Sequence, residues 1–283
     1  MSYASESTAA FRQGRLGRLA SITTHLVIGE RVFTRLPQLD PADLGSFLLG
    51  CLLVDVHWFS DIDRFTTHFA ERFDGEGPYA FNRSCVNFMR RLDRLLIRPW
   101  DELTSAEQAF IAGYFCHLAA DEDWKRFDWH MLHTLGIRWW ADLPVPGDVI
   151  VSAFDVLSSE LYIDFPTVKA ALSDISIPNV LTHVPHATFQ MTWEIAQIHI
   201  MSGSTLYSAL KMFKRMGKTS AEMQTVRHQH EVYWEHAVAF IQDDFGGVQP
   251  RIQAMVQRSL ERMPLLYQQT REPLPSARRE RCH

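Results

Sequence analysis

The chain has 283 residues, of which 46% are hydrophobic and 22% are charged, so it can bury a sizeable core and is not intrinsically disordered. Its 28 basic and 33 acidic side chains give a net charge of −5, which excludes the strongly basic surface typical of nucleic-acid-binding proteins. Four cysteines without any CxxC pair favour reduced thiols over a disulfide framework. We therefore expect an ordinary globular protein with no nucleic-acid partner.

Helix start signals recur along the chain, whereas strand signals are almost absent. Each start signal combines a capping side chain with an early proline or with a glutamate three positions later. These signals stand at Asp40-Pro41, Thr104 to Glu107, Asp164 to Pro166, and Thr219 to Glu222. The last of them begins a helix predicted to run to about Gln242, and Gly217 marks the end of the helix before it.

These signals predict an all-α protein of roughly eight to ten helices, arranged as a single multi-helix domain over residues 1–266. Residues 267–283 lack periodic apolar side chains, and we expect them to form a flexible tail. The longest apolar run, Phe47 to Val54, is far too short to cross a bilayer, and the amino-terminal segment lacks the apolar core of a secretory signal. We therefore expect no stable membrane insertion and a cytoplasmic location.

The strongest candidate for chemistry is the segment from Gly113 to Asp121. His117 and Asp121 are four positions apart, so on a helix they share one face and can bind the same metal ion. The residues around them are small or apolar, which predicts that this helix is buried. A buried aspartate is costly unless it is paired or bound to metal. Gly113 would allow another backbone or a ligand to come close.

Two further segments offer ligands of the same kind. Asp55 follows an apolar stretch, and thirteen residues later His68 lies between Thr67 and Phe69. His25 lies on an amphipathic segment nearer the amino terminus. Three histidines and two aspartates form a ligand set that suits zinc, and their carboxylates can also bridge two ions.

The order of these elements resembles the zinc-dependent phospholipase C family, an all-helical enzyme family whose metal ligands come from separate helices. The shared pattern is an early histidine, then G-x(4)-D, then T/S-H-F, then G-Y-x-x-H-x-x-x-D. In this chain the pattern covers about residues 20–125 and consists of His25, Gly50 to Asp55, Thr67 to Phe69, and Gly113 to Asp121. Val54 stands where the family usually has a proline.

The resemblance implies one complete zinc site. Its ligands are Asp55, His68, His117 and Asp121. His25 would lie beside them on a further ion that Asp121 can bridge. One to three zinc ions are therefore predicted as cofactors.

The family's other zinc site uses a histidine after this helix and then an H-x-x-x-E pair. No histidine in this chain is followed by glutamate four positions later, and an amide in place of the acid weakens a zinc site. The nearest substitute is a single helical face with His186, Gln190 and Glu194, with His199 further along. The candidates for this second site are His130 (or His133), His186 and Glu194.

Each candidate ligand also has a purely structural interpretation. His25 can be a partly exposed surface residue, Asp55 can cap the end of its helix, and His68 can be a hydrogen-bonded core histidine. His117 and Asp121 can form a neutral hydrogen-bonded pair, since contacts between positions i and i+4 are common on helices.

Other polar and aromatic residues are expected to be structural. Arg64 is expected to pair with Asp61 or Asp63 in a solvated turn. The tryptophans are expected to form core or the wall of a pocket: Trp124, Trp129, Trp139, Trp140 and Trp193.

The ordered ligand set predicts a metal-dependent hydrolase in which zinc activates water to attack a phosphodiester, a phosphoester or a related small soluble substrate. Asp55 is the predicted catalytic residue, because it can orient or deprotonate the attacking water while touching the metal. The alternative is a protein that binds a small molecule, or guides its rearrangement or cyclisation in a biosynthetic pathway, and reuses the fold without hydrolysis. The missing H-x-x-x-E pair and the eight tryptophans support this alternative, in which the candidate ligands would be hydrogen-bonded to one another.

Overall fold

The computed structural model describes residues 21–70, 83–134, 145–162, 164–203, 206–244 and 246–271. Within these ranges the chain forms eleven α-helices and no β-strand, which confirms the all-α prediction. The helices are α1 (Ser21–Phe33), α2 (Leu44–Leu53), α3 (Arg64–His68), α4 (Ser84–Leu95), α5 (Ser105–Thr134), α6 (Gly147–Ser158), α7 (Phe165–Ser173), α8 (His186–Met201), α9 (Leu206–Arg215), α10 (Ser220–Asp243) and α11 (Val248–Arg271). None of these helices combines the length and the apolar character that a bilayer crossing requires.

The helix boundaries lie close to the predicted start and stop signals. The carboxylates of Asp40 and Asp164 accept hydrogen bonds from backbone N–H groups and cap the turns that lead into α2 and α7. Thr219 and Glu222 form the reciprocal capping box of α10. Gly217 follows α9 with a φ of +78°, a left-handed conformation that favours glycine. Local capping chemistry therefore accounts for these boundaries.

Helix α5 lies at the centre of the fold, and α2 crosses it at a pair of glycines. A Cβ atom on Gly113 would lie 1.8 Å from the carbonyl oxygen of Phe47, and one on Gly50 would lie 2.0 Å from that of Phe110. Because these separations are far below van der Waals contact, only glycine lets the two backbones approach so closely. The close approach predicted at Gly113 is confirmed, and its neighbour is a helix backbone.

A buried glutamate joins α5 to two other helices. Glu122 is fully buried, and its Oε1 accepts a hydrogen bond of 3.0 Å from the backbone N–H of Cys85 in α4. Its Oε2 accepts hydrogen bonds from Arg258 at 3.1 Å and from Arg262 at 3.0 Å, both in α11. Since Asp121 is the preceding residue, this contact also fixes the part of α5 that presents Asp121.

A second buried carboxylate holds the first described turn of α1. Asp155, in α6, accepts hydrogen bonds from the backbone N–H groups of Thr23 and Thr24 at 3.3 and 2.6 Å. An anionic acceptor stabilises the amino-terminal end of a helix, where N–H groups lack partners within the helix. The next residue is His25, so this contact sets the position of a candidate ligand. His199, a more distant candidate, lies with its Nε2 3.8 Å from Asp155 Oδ2.

Helix α11 continues past the boundary predicted at residue 266. It is described as far as Arg271, and it continues past residue 266 because Leu266 is fully buried and Tyr267 packs against the core. The predicted boundary therefore falls inside a helix. Residues 272–283 lie outside the described residues, and the flexible tail stays a prediction.

Candidate metal centre

The five candidate ligands come from four segments that meet near the crossing of α2 and α5. His25 lies on α1, and His68 is the last residue of α3. His117 and Asp121 lie one turn apart on α5. Asp55 lies in the 3-10 segment that continues α2, where its dihedral angles (φ −83°, ψ 22°) are not helical. The chain therefore kinks at Asp55, directly beside the crossing.

The backbone on both sides of His68 is held in place. Phe69 has a φ of 53°, which is uncommon for a bulky residue, and its carbonyl oxygen accepts a hydrogen bond of 3.0 Å from Asn87 Nδ2. Before His68, the carbonyl oxygen of Thr67 accepts a hydrogen bond of 2.6 Å from the Tyr114 hydroxyl. These two contacts tie the end of α3 to α4 and α5.

The side chains converge on the carboxylates of Asp55 and Asp121. His68 Nε2 lies 3.3 Å and His117 Nε2 lies 3.9 Å from Asp55 Oδ1. His68 Nε2 also lies 3.3 Å from Asp121 Oδ2, and His117 Nε2 lies 4.0 Å from the same oxygen. His25 Nε2 lies 3.6 Å from Asp121 Oδ1. All five side chains are at most 10% exposed.

The separations of 3.6–4.0 Å suit the ligands of an ion better than hydrogen-bonded partners, whereas the two 3.3 Å contacts of His68 are compatible with either. Two atoms that each lie about 2.1 Å from a tetrahedral zinc ion are roughly 3.4 Å apart, whereas hydrogen-bonded nitrogen and oxygen atoms are about 2.7–3.2 Å apart. The ligand atoms form two groups, each with all members within 4.8 Å of one another: His25, His117 and Asp121, and Asp55, His68 and His117. Within the described residues, the buried His117 Nε2 has no hydrogen-bond partner. The donor set therefore fits a divalent ion such as zinc.

Backbone carbonyls orient two of the imidazole rings. His117 Nδ1 lies 2.7 Å from the carbonyl oxygen of Cys51. His68 Nδ1 lies 3.2 Å from that of Arg64. Because a carbonyl only accepts hydrogen bonds, Nδ1 of the neutral His117 carries the proton and its Nε2 presents a lone pair to the carboxylates, whereas His68 Nδ1 also lies 2.9 Å from the Thr67 hydroxyl. Contacts of this kind fix the ring of a metal-binding histidine in proteins.

Burial and neighbouring charges set the protonation state of the cluster. Burial opposes ionisation of Asp55 and Asp121, yet the surrounding histidines hold the pKa of both carboxyls well below the usual range, with a further contribution from Arg64 at Asp121. Burial lowers the pKa of His117 to about 3, so its ring is neutral at pH 7. Ionised carboxylates and neutral imidazoles are the forms that bind metal.

His57 also belongs to this cluster, although the sequence motifs do not include it. Its side chain is 9% exposed, its Nδ1 lies 3.6 Å from Asp55 Oδ1, and its ring centre lies 5.2 Å from that of His68. Burial lowers the pKa of His57 well below its usual value. In the part of the chain described here, neither ring nitrogen of His57 has a hydrogen-bond partner. Its spacing of two from Asp55 gives no helical face, so the kink at Asp55 is what brings the pair together.

Arg64 is a second unpredicted member of the cluster. It was expected to pair with Asp61 or Asp63 in a solvated turn, but the structure places its Nη2 2.9 Å from Asp121 Oδ2. The Asp63 carboxylate caps α3, accepting a hydrogen bond of 3.0 Å from the backbone N–H of Phe65. Since the cap holds the start of α3, the Arg64 side chain extends from that end towards α5.

Of the candidates for a second metal site, His186 and Glu194 are described by the structure, and neither joins this cluster. His186 Nε2 lies 3.0 Å from the carbonyl oxygen of Ile177, and Glu194 is exposed. Neither belongs to a group of potential metal ligands among the residues that the structure describes. His130 lies on α5, but its side chain lies outside the described part of the chain. The second site stays a prediction.

The tryptophans placed by the structure lie in or against the core. Trp124 packs edge-on against Phe154, with ring centres 4.9 Å apart, and Trp193 is buried. Trp139, Trp140 and the side chain of Trp129 lie outside the described residues. The predicted aromatic pocket therefore stays a prediction.

Comparison with known proteins supports the resemblance seen in the sequence. Residues 24–145 match a family model described as zinc dependent phospholipase C, a partial match. The matched segment contains all five candidate ligands of the cluster, whereas His186 and Glu194 lie beyond it. Searches of curated proteins and of solved structures found no match. Over this segment the chain is similar to a zinc-dependent family, and the two groups of ligand atoms lie within it.

Proposed function

We propose that the chain is a zinc-dependent hydrolase that acts on a phosphodiester, a phosphoester or a related small soluble substrate. The observation that carries the proposal is the pair of overlapping ligand groups, which share His117 and lie within the segment that matches the family. The separations of 3.6–4.0 Å from His25 and His117 to the carboxylates favour metal ligands over the hydrogen-bonded network of a non-hydrolytic protein.

The ligand residues would hold zinc in two overlapping positions. Asp55, His68 and His117 form one group, while His25 and Asp121 share His117 in the other. When bound, zinc supplies Lewis acidity, which polarises a phosphoryl oxygen and lowers the pKa of water to roughly 7. Since the cluster is buried and held by α1, α3 and α5, its ligand side chains would need little rearrangement to bind zinc.

Asp55 would orient the attacking water. Its carboxylate lies at the kink after α2, within 4 Å of three imidazole rings. Because the pKa of Asp55 is well below its usual range, the carboxylate is a weak proton acceptor but an effective hydrogen-bond acceptor. We therefore assign Asp55 to positioning the water for attack, with a smaller part in accepting its proton.

Metal-dependent hydrolysis is the direct test of this proposal. The purified protein, loaded with zinc and freed of excess metal, is assayed on a phosphodiester, a phosphomonoester and a carboxylic ester, with chelator-treated protein as the control. We expect hydrolysis of at least one phosphate ester, its loss after chelation and its recovery on adding zinc. If protein that holds zinc hydrolyses none of the three, the proposal is wrong.

A further inference from the structure

Arg64 occupies a distinct place in the cluster. Its side chain is 20% exposed, whereas those of the five candidate ligands and of His57 are at most 10% exposed. Arg64 is therefore the least buried charged side chain of the cluster.

The position of Arg64 is tied to two of the ligands. Its Nη2 donates a hydrogen bond of 2.9 Å to Asp121 Oδ2, and its carbonyl oxygen lies 3.2 Å from His68 Nδ1. The Thr67 hydroxyl also donates to that carbonyl oxygen, at 3.2 Å. A shift of Arg64 would disturb these contacts, so its charge is held at a defined place beside the ligands.

The charge balance of the cluster favours an anion. The cluster contains two carboxylates, Asp55 and Asp121, and one guanidinium, Arg64, so its net charge without metal is −1. Binding of one divalent ion changes the net charge to +1, and binding of two changes it to +3. A metal site with only these carboxylates and one ion would be neutral. Arg64 therefore makes the loaded centre positive with one ion bound. A guanidinium offers several N–H donors in a planar fork, which matches the oxygens of a phosphoryl group.

We propose that Arg64 binds the anionic phosphoryl group of the substrate beside the metal ligands. This inference rests on the proposed function in taking the substrate to be a phosphate ester. It assigns Arg64 a binding role in addition to its contact with Asp121, and it makes the site selective for anionic over neutral esters. Inorganic phosphate carries the same oxygens as the ester, so binding can be measured without turnover.

The test is a titration of inorganic phosphate by calorimetry into zinc-loaded protein from which excess metal has been removed. Four proteins are compared: wild type, Arg64→Gln, Arg64→Lys and Arg251→Gln. Arg251 is the matched control, because it makes a 2.9 Å ion pair with Asp123 on the same helix α5, two residues after Asp121. Zinc content is measured on each protein before titration.

We expect Arg64→Gln to weaken phosphate binding by about 10- to 100-fold, because the substitution removes a charge-assisted hydrogen bond. The zinc content should be unchanged. Arg64→Lys should restore part of the affinity, since it keeps the charge but not the fork. Arg251→Gln should bind like wild type. Unchanged phosphate affinity in Arg64→Gln would overturn the proposal, as would an absence of phosphate binding in zinc-loaded wild type. Parallel loss of zinc and phosphate would also overturn it, because Arg64 would then act only by positioning Asp121.

The titration separates this proposal from the proposed function. If no ester is hydrolysed but phosphate binds zinc-loaded protein in an Arg64-dependent way, hydrolysis fails while the anion site stands. If esters are hydrolysed and Arg64→Gln changes neither phosphate affinity nor the preference for anionic esters, hydrolysis stands and the anion site fails.

Discussion

Replacing Asp121 with asparagine is expected to lower the affinity for zinc at least about 100-fold, since even residues that only support metal ligands contribute 10- to 100-fold. The reason is the central position of its carboxylate, which lies within 4.0 Å of His25, His68 and His117 and 2.9 Å from Arg64. Asparagine keeps the shape but loses the charge and one acceptor oxygen. Zinc affinity is measured by competition with a chromophoric chelator, and hydrolysis should fall in parallel.

Asp123→Asn is the matched control for this prediction. Asp123 lies on the same helix and its carboxylate pairs with Arg251, but its side chain is 22% exposed and it belongs to neither ligand group. We expect its zinc affinity and activity to remain within about threefold of wild type, the scale of a surface ion pair. Equal losses in the two variants would mean that Asp121 matters to α5 in general and not to the metal.

Replacing Glu122 with alanine is expected to destabilise the chelator-treated protein by about 3 kcal/mol, the lower end of the range for breaking a buried ion pair. The side chain of Glu122 is fully buried, and its loss would leave Arg258, Arg262 and the N–H of Cys85 without this acceptor. The lower end applies because the two arginines are 14% and 21% exposed and can turn towards water. Urea unfolding followed by circular dichroism measures the change.

Glu261→Ala is the control for Glu122→Ala. Glu261 also lies near Arg258, with Oε2 3.9 Å from its Nη1, but it is 53% exposed. An exposed pair of this kind contributes at most about 1 kcal/mol, and we expect a change below about 0.5 kcal/mol. A loss at Glu122 no larger than at Glu261 would show that the contact between α5, α4 and α11 does not stabilise the fold.

The helix boundaries could be predicted where a few neighbouring side chains cap the helix. A cap such as Asp164 or the box of Thr219 and Glu222 depends on a few neighbouring residues, so its effect can be recognised without the fold. The same holds for His117 and Asp121, because a spacing of four places two side chains on one face of any helix. The proximity of His68 to this pair was expected only from the resemblance to the family, because no local rule relates positions 68 and 117.

Other members of the cluster depend on packing that no local pattern contains. His57 reaches Asp55 through a backbone kink, and Arg64 reaches Asp121 across 57 positions in the chain. For Arg64 the sequence favoured a pair with Asp61 or Asp63, the acidic residues nearest to it along the chain. The boundary predicted at residue 266 falls inside α11, because Leu266 and Tyr267 continue the apolar face of the helix that includes Met255 and Met263.

The central claim is that this cluster binds zinc, and metal content per chain tests it most directly. Elemental mass spectrometry is performed on protein made without a polyhistidine tag, alongside the double variant His117→Ala/Asp121→Ala. We predict one to three zinc ions per chain in the wild type, an expectation from the ligand set, and their loss in the double variant. A wild type without bound metal, with a double variant that is merely less stable, would contradict the account and make the cluster a polar network of the core.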